Sequence, residues 1–113
     1  MLNTALDIAR SGLAAEGVRL QTAANNIANV STKDYVPQQV EQVALASPGG
    51  VQAKIRPAMP PYFPAAATVV DLAREMTTLI EAEAAYKANL AVIQTVDEMT
   101  DSLLDIFDNK ERR

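Results

Sequence analysis

Apolar residues recur along the first thirty positions in a 4,3 alternation, Leu2, Leu6, Ala9, Leu13, Glu16, Leu20, Ala23, Ile27 and Val30, interrupted by one charge at Glu16. That spacing puts every member on one helical seam and predicts an N-terminal helix. A second stripe runs Leu72, Met76, Leu79, Glu83, Tyr86, Leu90 and Ile93. It then continues one residue out of step as Val92, Val96, Met99, Leu103 and Ile106, which widens the apolar face and predicts contact with more than one partner helix.

Between the stripes the period changes. Val43 and Leu45, then Val51, Ala53 and Ile55, alternate on either side of Ser47-Pro48-Gly49-Gly50, the pattern of a short β-hairpin. Pro48 before Gly49 suits a type II turn. All six prolines fall between Pro37 and Pro64, and Pro57, Pro60, Pro61 and Pro64 exclude helix and favour an extended tether. Its role is either a spacer to the next helix or a proline-rich ligand for another module. Residues 1–32 thus form an N-terminal helix, 33–68 a hairpin and tether, and 69–113 a C-terminal helix. The fold class is mainly α, with long terminal helices whose stripes are hidden by bringing the ends together or by sharing them with other chains.

The helix ends carry their own signals. Thr4 with Asp7, and Thr68 with Asp71, have the three-residue spacing of a capping box. The first helix is expected to end near Asn29 to Thr32 and the second near Asp108, the latter spanning roughly 57 Å. Such a length exceeds what a compact domain needs. Gly12 and Gly17 each cost about 1 kcal/mol relative to Ala inside a helix, and stand either as tolerated residues or as places of close interhelix packing.

With 113 residues and only 4% aromatic content, two helices and a hairpin enclose a thin core, so assembly with other chains is expected. The net charge of -4 is uneven, since residues 69–113 carry ten acids against five bases. Scattered Lys and Arg disfavour nucleic-acid binding. Asp7 and Arg10 break the apolar run that a signal peptide requires, and no segment predicts membrane insertion. The absence of Cys excludes disulfides and thiolate metal sites, and without His or Cys a nucleophile lacks its usual base. No catalytic residue, cofactor, metal or small-molecule substrate is therefore expected, and the chain reads as no enzyme.

Three clusters still ask for an account. Asp97, Asp101, Asp105 and Asp108 lie along one helix face, as a solvated acidic surface or one that pairs with a basic neighbour rather than a cation site, because carboxylates one turn apart cannot converge on one ion. Glu16 and Glu83 interrupt the two seams, and either set helix register or form an acid/base pair. Asn25, Asn26 and Asn29 lower helix propensity where the first stripe continues, so something other than helix stability asks for them.

From Ser11 to Tyr35 the chain reads SGLAAEGVRLQTAANNIANVSTKDY, and from Val69 to Ile106 VVDLAREMTTLIEAEAAYKANLAVIQTVDEMTDSLLDI. The first resembles the N-terminal signature SGL…A…RL…AANNIANVST..Y of the bacterial flagellar axial proteins of rod and hook, and the second is similar to their closing helix with its AY.AN…I.T.DEM core. Asp34 stands where that family usually has Gly, a residue that takes a left-handed turn more easily. The middle segment is shorter than in hook and distal-rod members.

The resemblance implies a self-assembling structural subunit of the basal-body rod. Its terminal helices would pack together as a coiled coil in the inner wall of a hollow tube and transmit torque. It further implies partners among other rod and hook subunits and its own copies, and export without a cleaved leader through the flagellar type III apparatus, from the cytoplasm to the periplasmic rod. The expected helix and subunit contacts are Leu6, Leu13, Leu20, Asn25, Asn26, Ile27, Asn29, Leu72, Met76, Leu79, Tyr86, Asn89, Leu90, Ile93, Val96, Met99 and Leu103. The competing class is a helical-hairpin binding module, such as an export chaperone or a paralogue outside the rod.

Overall fold

The structure, a computed structural model, describes residues 2–58 and 70–113. Helix α1 spans Leu2–Ala28, strands β1 and β2 span Gln38–Ala44 and Val51–Pro57, and helix α2 spans Leu72–Glu111. The chain is mainly helical, with two long helices flanking a two-stranded antiparallel hairpin. Pro60, Pro61, Pro64 and Thr68, and with them most of the expected tether, lie outside the described residues.

The helix starts differ from the capping boxes. Thr4 lies inside α1, which already begins at Leu2. On α2 the capping residue is Asp71 itself: its backbone is extended, and its Oδ1 accepts from the Arg74 N–H at 3.1 Å. A carboxylate fits that place because it faces the unpaired N–H groups of the first turn. At the other ends, α1 stops at Ala28, one residue before the expected span, and α2 runs three residues past Asp108 to Glu111.

The helices run antiparallel. The contacts Gly12 to Asn89, Arg19 to Glu81 and Asn26 to Glu75 climb α1 while descending α2, each about two turns apart. Continuing that step brings Leu2 level with Met99, so the last three turns of α2 extend past the first residue of α1. The molecule measures 75 × 26 × 15 Å, and its radius of gyration of 20.0 Å exceeds the ~13 Å of a compact chain of this length.

The α2 seam that meets α1 is not the leucine stripe. Ala82 and Val96 are buried and Glu75, Thr78, Ala85 and Asn89 are half-buried, whereas of the stripe only Leu79 and Ile93 are half-buried and Leu72, Met76, Glu83, Tyr86 and Leu90 are exposed. The buried seam is rotated by one residue, about 100°, from the apolar one. Small side chains decide this, because Ala and Gly let the two backbones approach where Leu would hold them apart. Gly12 shows the tolerance: a Cβ there would stand 2.7 Å from the Asn89 amide. Around Gly17 there is open space, so the two glycines divide between close packing and mere accommodation.

Strand pairing sets Val40 against Ile55, Gln42 against Ala53 and Ala44 against Val51. Opposite residues share a face, so Val40 joins Val51, Ala53 and Ile55 on the side that bears Gln42, which reaches α1. Val43 and Leu45 fall on the other side. The turn also departs from type II. Leu45 N–H bonds to Gly50 C=O at 2.9 Å, and inside it Gly49 N–H bonds to Ala46 C=O at 2.9 Å. Pro48 is therefore the third residue of the turn, after a cis peptide, and not the second. At Gly50, with φ of +110°, a Cβ would lie 2.7 Å from Ser11 Oγ.

The buried hydrophobic side chains are Ala9, Ala15, Ala23, Val70, Ala82 and Val96. At about 0.8 kcal/mol per buried methylene-sized group, six alanines and valines make a thin core. Polar contacts inside the helix pair consequently decide how its parts fit.

Candidate assembly interface

Asn26 joins all parts of the chain. It is fully buried, and its Nδ2 donates to Gln38 C=O at 2.6 Å and to Glu75 Oε1 at 3.0 Å. Its Oδ1 accepts from Gln38 N–H at 3.0 Å and from the Tyr35 hydroxyl at 2.7 Å. One side-chain amide thus meets both peptide groups of Gln38, as a neighbouring strand would, while also holding α2 and the connecting loop. The other two asparagines shape the exit from α1. Asn25 Nδ2 donates to the Tyr35 hydroxyl at 3.2 Å, and Asn29 Nδ2 donates to Asn25 C=O at 2.8 Å and, in turn, Thr32 Oγ1 donates to Asn29 Oδ1 at 3.0 Å. Asp34 takes the left-handed conformation, φ 59°, despite its Cβ.

Burial raises the Tyr35 phenol above its ordinary value, the Glu75 carboxylate raises it further, and the Asn25 hydrogen bond opposes both.

Ser11 pins the opposite corner of the hairpin. Its Oγ donates to Ile8 C=O at 2.7 Å and accepts from Val51 N–H at 3.1 Å. Ser11 and Gly12 are adjacent yet serve different neighbours, the hairpin and α2. Neither Ser11 nor Gln38 stood out in the sequence as a contact residue. Gly50 was the available signal, since a turn glycine beyond the one the turn needs points to a close approach.

Glu16 and Glu83 do not meet in this chain. Glu16 is buried with its Oε1 accepting from Gln42 Nε2 at 2.8 Å and its Oε2 paired with Arg19 at 3.1 Å, and Arg19 also reaches Glu81 at 3.2 Å. Glu83 pairs with Lys87 on the surface at 2.9 Å. The arrangement ties hairpin to helix pair and offers no acid/base couple. An open cleft of about 730 Å³ lies beside it, between the start of β1 and the first half of α2, lined by Arg19, Gln38, Val40, Arg74 and Glu81 among others. Among the described residues no three His, Cys, Asp or Glu side chains gather to hold a metal ion. No helix among them is long and apolar enough to cross a membrane.

The expected contact residues divide into two sets. Asn26 and Val96 are buried, and Asn89, Leu6, Leu13, Leu20, Ile27, Leu79 and Ile93 are half-buried. Asn25 is exposed and Asn29 half-buried at the end of α1. Leu72, Met76, Tyr86, Leu90, Met99 and Leu103 face outward, and Ile80, Leu104, Ile106 and Phe107 stand 61 to 69% exposed beside them. One helix thus carries a large exposed apolar surface.

Residues 6–35 match the family described as flagella basal body rod protein, and residues 69–106 match the family described as flagellar basal body rod FlgEFG protein C-terminal. No curated protein matches the chain. The two matched stretches hold the residues that bind the fold together, Ser11, Gly12, Asn26 and Tyr35 in the first and Glu75, Ala82 and Asn89 in the second. With both terminal families in order along one chain, on a fold of two long helices and a hairpin, this chain belongs to the rod-type axial proteins of the bacterial flagellum, structural constituents of its basal body.

Proposed function

We propose that the chain is a self-assembling subunit of the rod, which transmits torque through helices packed between copies and against other rod and hook subunits. The observation that carries this reading is the outward apolar row of α2. Leu72, Met76, Leu90, Met99, Leu103 and Phe107 remain exposed, while the buried residues of the two helices are small or polar, Ala, Gly, Thr, Asn and Glu with one Val. A helix with its larger side chains outward is built for neighbours outside the chain. The division 1–32, 33–68 and 69–113 then separates two wall-forming helices from a short insert.

On this reading the subunit is made in the cytoplasm, passes through the type III export apparatus and reaches the periplasmic rod. Deleting its gene is expected to halt flagellar assembly at the rod. A normal count of flagella in the deletion strain would contradict the role. So would a stable cytoplasmic one-to-one complex with another axial subunit, which is how an export chaperone behaves.

A further inference from the structure

The hairpin has two edges, and α1 closes only part of each. Leu45 N–H to Gly50 C=O and Ala58 N–H to Pro37 C=O bracket the ladder, so its internal bonds fall on the pairs 39/56, 41/54 and 43/52. The backbone groups of Gln38, Val40, Gln42 and Ala44 on β1, and of Val51, Ala53 and Ile55 on β2, therefore point outward. Asn26 takes both groups of Gln38, and Ser11 takes the N–H of Val51, at diagonally opposite corners. Among the described residues nothing takes the outward groups of Val40 and Gln42 on one edge, or of Ala53 and Ile55 on the other.

Three further features bear on what completes these edges. Two strands alone are marginally stable, and open rungs are a template for another strand. Ile55 is 54% exposed at the β2 edge. Lys54 forms no ion pair among the described residues, while its neighbour Arg56 holds Glu41 at 2.9 Å.

We propose that hairpins of adjacent copies join edge to edge, β2 of one copy pairing antiparallel with β1 of the next. Ala53 and Ile55 exchange backbone hydrogen bonds with Gln42 and Val40 of the next copy, and Lys54 stands across from its Glu41. This register repeats between copies the Glu41 to Lys54 opposition already present within the hairpin. The symmetric alternatives fit less well. Two β2 edges meeting around Ile55 would set Lys54 against Arg56, like charge on like, and two β1 edges meeting would leave Ile55 uncovered. Because the two edges differ, the contact is heterologous and propagates along an assembly instead of closing as a pair. The identity of the occupant as a second copy rests on the self-assembling reading above.

The chain contains no Cys, which makes the test direct. Glu41→Cys and Lys54→Cys, both on the exposed hairpin face, are purified separately, checked for wild-type helicity, and oxidised alone and mixed at a concentration where sedimentation shows wild-type association. The mixture is expected to yield a disulfide-linked dimer at least several-fold above either variant alone. Adding Ile55→Pro to the Lys54 variant, which removes an outward N–H, is expected to abolish that excess. Association without the mixed dimer would overturn the edge contact and leave the self-assembling reading intact. If the wild-type chain does not associate at any concentration, both fall.

Discussion

At the scale of single residues, one amide organises the chain. Asn26, itself fully buried, makes four part-buried hydrogen bonds to three separate segments, and its removal would take these partners from Gln38, Glu75 and Tyr35. Asn26→Ala is therefore expected to lower stability by about 2 to 4 kcal/mol in urea denaturation, whereas Asn25→Ala, at an exposed position, is expected to cost under about 1 kcal/mol. Equal losses would remove Asn26 from its central place. The glycines give a second contrast. Gly17→Ala is expected to stabilise by about 1 kcal/mol, and Gly12→Ala to bring no such gain, because Asn89 must swing away and lose its bond to Ala85 C=O. Tyr35 gives a third. A phenol held above its ordinary 10.0 keeps its proton more tightly in the folded state than in the unfolded one. Its contribution is complete below pH 10 and is lost as the pH rises through the raised value, so stability should fall above pH 10 and Tyr35→Phe should flatten that fall. The asparagine cluster was legible in the sequence as a departure from helix economics, but its partner Gln38 was not, since a backbone peptide leaves no mark in side-chain chemistry.

At the scale of elements, the 4,3 spacing located both helices, and the change to alternation located both strands. Orientation about the helix axis was less legible. Hydrophobic periodicity ranks Leu and Met above Ala and Gly, so it selected a row of α2 that is exposed at Leu72, Met76, Tyr86 and Leu90 and passed over Ala82 and Ala85. Alternation marked Val43 and Leu45 on the first strand, whereas pairing places Val40 on the face shared with Val51, Ala53 and Ile55. At the start of α2 the difference has a simpler reason, since the carboxylate expected at N3 of a capping box is itself the cap, as Asp71 is. The seam's position carries a prediction about Leu90, 41% exposed on the outer row. Leu90→Asp should change the monomer's stability by no more than about 0.5 kcal/mol, as a surface substitution, and still abolish association measured by sedimentation. Loss of monomer helicity in that variant would put Leu90 in the intrachain seam instead. Past Met99 no α1 residue lies alongside α2, and amides in residues 101–111 should exchange with solvent faster than those in 78–96 by hydrogen exchange.

At the scale of the whole molecule, an elongated chain with a core of alanines and valines exposes its larger apolar side chains along 40 residues of helix. Such a chain gains more from neighbours than from itself, so helicity by circular dichroism should rise with protein concentration. A concentration-independent, sharp and reversible melt of a monomer would oppose this. Mainly helical architecture and membership of the flagellar rod family were both legible from the two terminal signatures, because the residues that carry them are those that lock Ser11, Gly12 and Asn26 to their partners. What neighbours cover the outer row leaves no comparable trace in a single chain. The decisive measurement is the protein content of basal bodies purified from cells that make this chain. The chain is expected within the rod in several copies, and intact rods that contain none of it would rule out its place there.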